Sequence, residues 1–173
     1  MRELPLPPFP PLDKHRIEFF ASRRERVLGL FPTYGELRSR LLGIGGLEVV
    51  LPRYDELSEP QRNRQRYETG RILKQGQTWA GDQARLELME ESSCHVNTAI
   101  LFKRGAGSIA SGFALSEDGL WREHSWIAEG GERQVLIETT VLRLLYHGYL
   151  LSVEEQGWFL TSELASDEDA GAA

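Results

Sequence analysis

Residues 108–140 carry the pattern of three strands joined by tight turns, and this meander limits the possible folds more than any other part of the chain. Run 108–115 alternates and is rich in small and apolar residues, Ser116-Glu117-Asp118-Gly119 has turn composition, and 120–128 reads as the next strand. A third run, 134–140, follows Gly130-Gly131-Glu132. An antiparallel sheet is therefore expected in the C-terminal half. With the second turn centred on Gly131, facing residues have numbers that sum to 262, so His124 falls opposite Glu138 and Trp126 opposite Leu136. The imidazole and carboxylate then share one face, about 4.5–5.5 Å apart at Cβ, whereas a slip of one residue would part them.

Ahead of the sheet the periodicity is helical. Over 13–30, Ile17, Phe20, Val27 and Leu28 recur near helical spacing behind Asp13, a capping residue. Thr33-Tyr34-Gly35-Glu36 has capping-box form, and Ser58-Glu59-Pro60-Gln61 repeats it before a helix ending near Lys74. Gly43-Ile44-Gly45-Gly46 reads as a helix stop, because no lysine-serine pair follows to make a phosphate loop. Residues 47–51 suit a short strand. Residues 77–91 are ambiguous, with Leu86 and Met89 permitting a helical turn or two.

A length of 173 residues with 40% hydrophobic and 27% charged side chains suits one α+β domain with one core. Four regions are expected: a proline-rich extended arm over 1–12, a mainly helical part over 13–91, a cysteine helix with the antiparallel sheet over 92–160, and a mobile acidic tail over 161–173. A net charge of −6 weighs against nucleic acid and anionic lipid. No run reaches the roughly 18 apolar residues of a membrane span, and no secretory leader is evident, so a cytoplasmic protein without membrane partners is expected. One cysteine excludes an internal disulfide and a multi-cysteine zinc site. Cys94, His95 and His124 lack metal-ligand spacing, so neither metal nor cofactor is expected. Arg62, Arg64, Arg66, Arg71 and Lys74 invite an adaptor for RNA or protein, but Glu59 and Glu68 interrupt the positive run, as on a solvated helix face.

The chemistry centres on Cys94. Ser92-Ser93 supplies a helix cap and 95–102 has the composition of a half-buried helix, so the thiol lies in a first turn, where unpaired amides favour an anion. A thiol there, or beside an imidazolium, can fall from a pKa of about 8.5 to about 3.5–7.5. A lone cysteine is otherwise a small core residue. His124 and Glu138 downstream supply a base and an orienting group, making Cys94, His124 and Glu138 a candidate catalytic set. His95 on the helix should point away from Cys94, and His147 follows an apolar run and suits a structural role. Trp121 and Trp126 flank His124, with Trp79 upstream; an aromatic wall that binds substrate competes with core packing as their role.

Cys94, His124-Ser125-Trp126 and Glu138-Thr139-Thr140 resemble the transglutaminase-like branch of the papain-like superfamily, with its helix-starting Cys, His-small-Trp and Asp-x-Thr. Cys94-His95-Val96-Asn97, Gly112-Phe113-Ala114 and Tyr146-His147-Gly148 are similar to motifs of uncharacterised bacterial and phage members of that branch. The resemblance covers 94–149. Glu138 stands where the family has Asp, and no glutamine is assigned as a side-chain oxyanion donor. The resemblance implies a papain-like core of N-terminal helices packed on the sheet. It also implies a thiol hydrolase or acyltransferase acting on a peptide, protein or small amide by hydrolysis, deamidation or amine transfer. The Cys94 amide would contribute to an oxyanion hole, with Gln75, Gln77 and Asn97 as candidates for a second donor and Asn97 also for substrate binding. A binding module with a dormant site is the competing expectation.

Overall fold

Asp13 accepts a hydrogen bond from the Arg16 amide at 2.8 Å and so satisfies one orphan donor at the start of α1 (Lys14–Leu30), which buries Phe20 and Val27. The computed structural model describes residues 5–131 and 134–170, with the side chains of 166–170 outside that description. α2 (Thr33–Ile44) lacks the expected capping box: Pro32 takes the cap position in helical geometry, so Thr33 already lies inside the helix and no side chain caps it. Gly45 ends α2 and Gly46 takes φ +88°, as a helix stop requires. α3 (Glu59–Gln75) has a complete capping box, in which Ser58 Oγ accepts from the Gln61 amide and the Gln61 side chain accepts from the Ser58 amide. α4 (Cys94–Lys103) and α5 (Val153–Ala170) complete the helices. Among the described residues, no helix is long and apolar enough to cross a membrane.

Seven strands, β1 (Glu48–Val49), β2 (Gln77–Ala80), β3 (Ala84–Leu86), β4 (Ser108–Leu115), β5 (Leu120–Glu129), β6 (Val135–Glu138) and β7 (Leu145–Leu150), form one curled, half-barrel sheet in a mixed α+β fold. Their order is β2-β7-β4-β5-β6-β3, and β1 also pairs with β5. The sheet is neither purely antiparallel nor confined to the C-terminal half, because β1 runs parallel to β5 and β3 parallel to β6. Residues 77–91 form strands rather than the helical turns they seemed to permit: β2 buries Trp79 against the sheet and β3 pairs with β6. The region 13–91 is correspondingly less helical than its composition implies.

Alternation along the strands divides the interior in two. Ile109, Phe113, Leu115, Trp121, Ile127 and Tyr149 face the helices, where Val27, Phe31, Tyr34, Leu37, Leu41, Leu101 and Phe159 cover them. The opposite face holds a smaller cluster of Trp79, Ala110, Ala114, Trp126, Ala128, Leu136 and Tyr146. Leu6 and Phe9 of the proline-rich segment lie against the larger core, while residues 1–4 fall outside the description. α5 carries the backbone as helix through 161–170, in place of the tail expected to start at 161; Leu164 packs on the core and Glu163 accepts from Arg64 at 3.1 Å. Residues 171–173 lie outside the description.

The register of β5 and β6 differs from the expected one by two. Ile127 faces Ile137 and Ala128 faces Leu136, so facing residues have numbers that sum to 264 rather than 262. Gly130 turns at φ +91°, and Gln134 is drawn out of the strand as its side chain accepts from Trp79 Nε1 at 2.9 Å. An even slip preserves the face of every side chain, so His124 and Glu138 remain on one side.

Gly112 of β4 faces Gly148 of β7. A Cβ on Gly112 would collide with the His147 carbonyl and with Gly148 Cα, backbone atoms that cannot rotate away. Gly112→Ala is expected to lower unfolding stability by about 1–3 kcal/mol in urea titrations; an unchanged midpoint would show that the two strands separate freely.

Candidate active site

β5 changes partner along one edge. β1 pairs with residues 120–121 and β6 with 127–129, so among the described residues 122–126 have a strand, β4, on one side alone. α4 lies against this stretch: Ser125 Oγ sits 2.8 Å from His95 Nδ1 and 3.4 Å from the Cys94 carbonyl oxygen. Cys94, the first residue of α4, is half-buried and shares a hollow of about 380 Å³ with His124, Ser92, Arg122, Thr140 and Arg143.

His124 and Glu138 are buried within this arrangement. Nε2 of His124 lies 2.7 Å from Glu138 Oε2, and with the carboxylate ionised that nitrogen donates, leaving Nδ1 for the Cys94 thiol. Burial pulls the His124 pKa down, but hydrogen bonding to Cys94 and then to Glu138 outweighs it and raises the group from 6.5 to about 9. For Glu138, burial pushes upward, yet the hydrogen bond and charge of His124, joined by the Thr140 amide and hydroxyl, bring the carboxyl down to about 2. Its remaining lone pairs are also satisfied. Oε1 accepts from the amides of Thr139 at 2.8 Å and Thr140 at 2.9 Å and from Thr140 Oγ1 at 2.9 Å, and Oε2 accepts from Tyr146 OH at 2.9 Å.

Sequence reasoning left Thr140 and Tyr146 without roles. The signals were there: a threonine two residues after a carboxylate suits a local cap, and Tyr146 lies on a strand whose alternation turns it to the His124 face. Trp126 stacks at 22° to the His124 ring with centroids 6.2 Å apart, and Trp79 meets Trp126 edge-on. Both are buried, so they form the wall behind His124 rather than a face open to substrate. Trp121 belongs to the other face, where its Nε1 donates to Gly45 O at 2.8 Å; an odd separation from His124 along a strand places it there.

Asn97 is likewise removed from the hollow. Its Nδ2 donates to Glu90 O at 2.7 Å and ties the helix to the loop before Cys94. Gln75 accepts from Arg71 at the end of α3, and Gln77 begins β2 opposite Gly148; neither lines the hollow. His95 is held by Ser125 and Phe159, and burial lowers its pKa. His147 bonds Thr78 Oγ1 at 2.8 Å, and burial with Arg40 nearby lowers it to about 4. The arginines of α3 are engaged locally: Arg64 with Glu68 and Glu163, Arg66 with Glu59, Arg71 with Glu155, and Arg62 with the Tyr54 and Asp55 carbonyls.

The chain matches no family model, no curated protein and no solved structure. Its chemistry is therefore read from the geometry: an imidazolium, oriented by a buried carboxylate, facing a thiol at a helix start.

Stability should register this pair. The His124 pKa is raised, so its contribution is complete below about pH 6.5 and is lost as pH climbs through about 9. The Glu138 pKa is depressed, so its contribution is complete above about pH 4.5 and is lost as pH falls through about 2. Urea unfolding is expected to show a loss on the order of 1–3 kcal/mol between about pH 6 and pH 9.5, smaller in Glu138→Gln, where the contribution of Cys94 to the raised His124 pKa is left. Parallel pH profiles for the two proteins would contradict the assignment.

Proposed function

We propose that the chain is a cysteine-dependent acyl-transfer enzyme with Cys94 as nucleophile, His124 as acid and base, and Glu138 as the group that orients His124. The observation that carries this reading is one buried imidazole that donates to a fully hydrogen-bonded carboxylate and lines the same hollow as the thiol. Sγ of Cys94 bonds to the carbonyl carbon of an amide or ester while its proton resides on His124 Nδ1. That proton passes to the departing amine or alcohol as the bond to the carbonyl carbon breaks. Water or an amine then takes the acyl group, giving hydrolysis, deamidation or transfer. The acyl donor is a peptide, protein or small amide.

The first turn of α4 suits the developing oxyanion. The amides of Cys94, His95 and Val96 have no hydrogen-bond acceptor among the described residues, as at an uncapped helix start. Ser93 Oγ donates to Glu91 O instead of accepting from the helix, contrary to the expected cap. An oxyanion donor contributes on the order of 3 kcal/mol in acyl transfer. The packing of the cysteine helix on the strand that carries the histidine supports a papain-like, transglutaminase-like core as the finer description of the fold.

A dormant binding module is the second reading, favoured by one observation: among the described residues no glutamine or asparagine side chain lines the hollow. Iodoacetamide labelling and acyl-enzyme trapping separate the two. At about pH 6 the wild type is expected to alkylate at Cys94 faster than His124→Ala by about 100-fold or more, and to form a Cys94 thioester with p-nitrophenyl acetate detectable by intact mass. Fast alkylation without a thioester would favour the dormant module. A wild-type rate that rises only above about pH 8, as for an ordinary thiol, would defeat the mechanism.

A further inference from the structure

We propose that Arg143 makes the hollow beside Cys94 selective for a carboxylate, so that the acyl donor is an amide or ester bearing a carboxylate close to the reacting carbonyl. This deepens the acyl-transfer reading of Cys94 and rests on it.

Two guanidinium groups line the hollow, and they differ in how their charge is met. Arg122 is clamped by Asp118, with Nη1 2.9 Å from Oδ1 and Nη2 2.7 Å from Oδ2. Arg143 donates from Nη1 to the neutral Ser116 Oγ at 2.6 Å, its Nε is buried without an acceptor, and no ion pair joins it to a carboxylate among the described residues. An unmatched guanidinium in a recess is costly to maintain unless an anion completes it, and its planar fork suits a carboxylate. Charge around the hollow narrows the choice of anion. Glu91 stands on its wall and the chain carries −6 overall, so a monoanion is better accommodated than a phosphate dianion. Glu123, which also lines it, is occupied in accepting from Gln65 Nε2 at 2.7 Å. Val141, 53% exposed, leaves an apolar wall beside the anion position for a short aliphatic stem.

Two alkylating reagents test this without knowledge of the substrate. Iodoacetate and iodoacetamide both form an Sγ–carbon bond as the carbon–iodine bond breaks and iodide leaves, and they differ in carrying a carboxylate or a neutral amide. The ratio of the iodoacetate rate to the iodoacetamide rate at Cys94 should fall about tenfold in Arg143→Gln, any common change in thiol reactivity cancelling in the ratio, and Arg143→Lys should fall between. In the wild type, propionate should protect Cys94 from iodoacetamide more strongly than inorganic phosphate does, a measurement that needs no variant to fold. An equal ratio in wild type and Arg143→Gln, or protection by phosphate alone, would overturn the carboxylate site. The parent reading fails separately: it falls if iodoacetamide itself reacts only as fast as an ordinary thiol, whatever the ratio.

Discussion

A carboxylate with no exposure to solvent, Glu138, is the constraint on which this site depends. An ionised group in such a place survives only when its lone pairs are met, and here five donors meet them. Two of those donors come from other strands, His124 on β5 and Tyr146 on β7. Three come from the two residues that follow Glu138. The carboxylate therefore joins strands that are not adjacent, and it fixes the imidazole by the same contacts that stabilise its own charge. The extra methylene of Glu relative to Asp has a geometric use. Continued from its observed pairs, the register sets Glu138 opposite Trp126, so His124 is a diagonal neighbour, about 7–8 Å away rather than about 5 Å. A longer side chain spans that diagonal.

The helix meets the sheet at a place that topology creates. β1 and β6 take opposite ends of one edge of β5 and leave 122–126 free, and the start of α4 lies there. Cys94 thus shares a hollow with an imidazole whose ring belongs to the far face of the sheet, beside Trp126 and Tyr146. On the helix-covered face, His95, Ser125 and Thr98 hold α4 in register with β5. The glycine contact between β4 and β7 lies beside the same strand, since Gly112 also pairs with His124. Strand curvature and site geometry share these residues.

Much of this was legible because it depends on short-range rules. The ends of α1 and α3 follow from Asp13 and Ser58, and β4 from its alternation, since each is fixed by bonds within a few residues. The common face of His124 and Glu138 was legible through parity alone, which a two-residue error in register leaves intact. What lay hidden depends on distant partners. Residues 77–86 become strands because β7 and β6 offer edges, a fact no local propensity contains. The acidic residues beyond 160 join a helix because Arg64 waits on α3. Trp121 is near His124 in sequence yet an odd number of residues away, and alternation along β5 sends the two to opposite faces.

The loop before Cys94 bears on whether the site is poised or dormant. Ser92 takes φ 58°, the left-handed region, alone among the described non-glycine residues, at a cost of about 1–2 kcal/mol. The backbone just before it is held twice, by Asn97 Nδ2 on Glu90 O and by Ser93 Oγ on Glu91 O. Those side chains spend their hydrogen bonds on the loop and none on the first amides of α4. The result is a strained entry into the helix that leaves three N–H groups unmet next to the thiol. Such an entry weakens the fold locally, and a serine cap in ordinary geometry would remove the strain and satisfy an amide as well. In the proposed mechanism the same amides replace the side-chain donor that the hollow lacks, so the strain and the absent glutamine have one explanation. A module retained for binding alone would have no use for either.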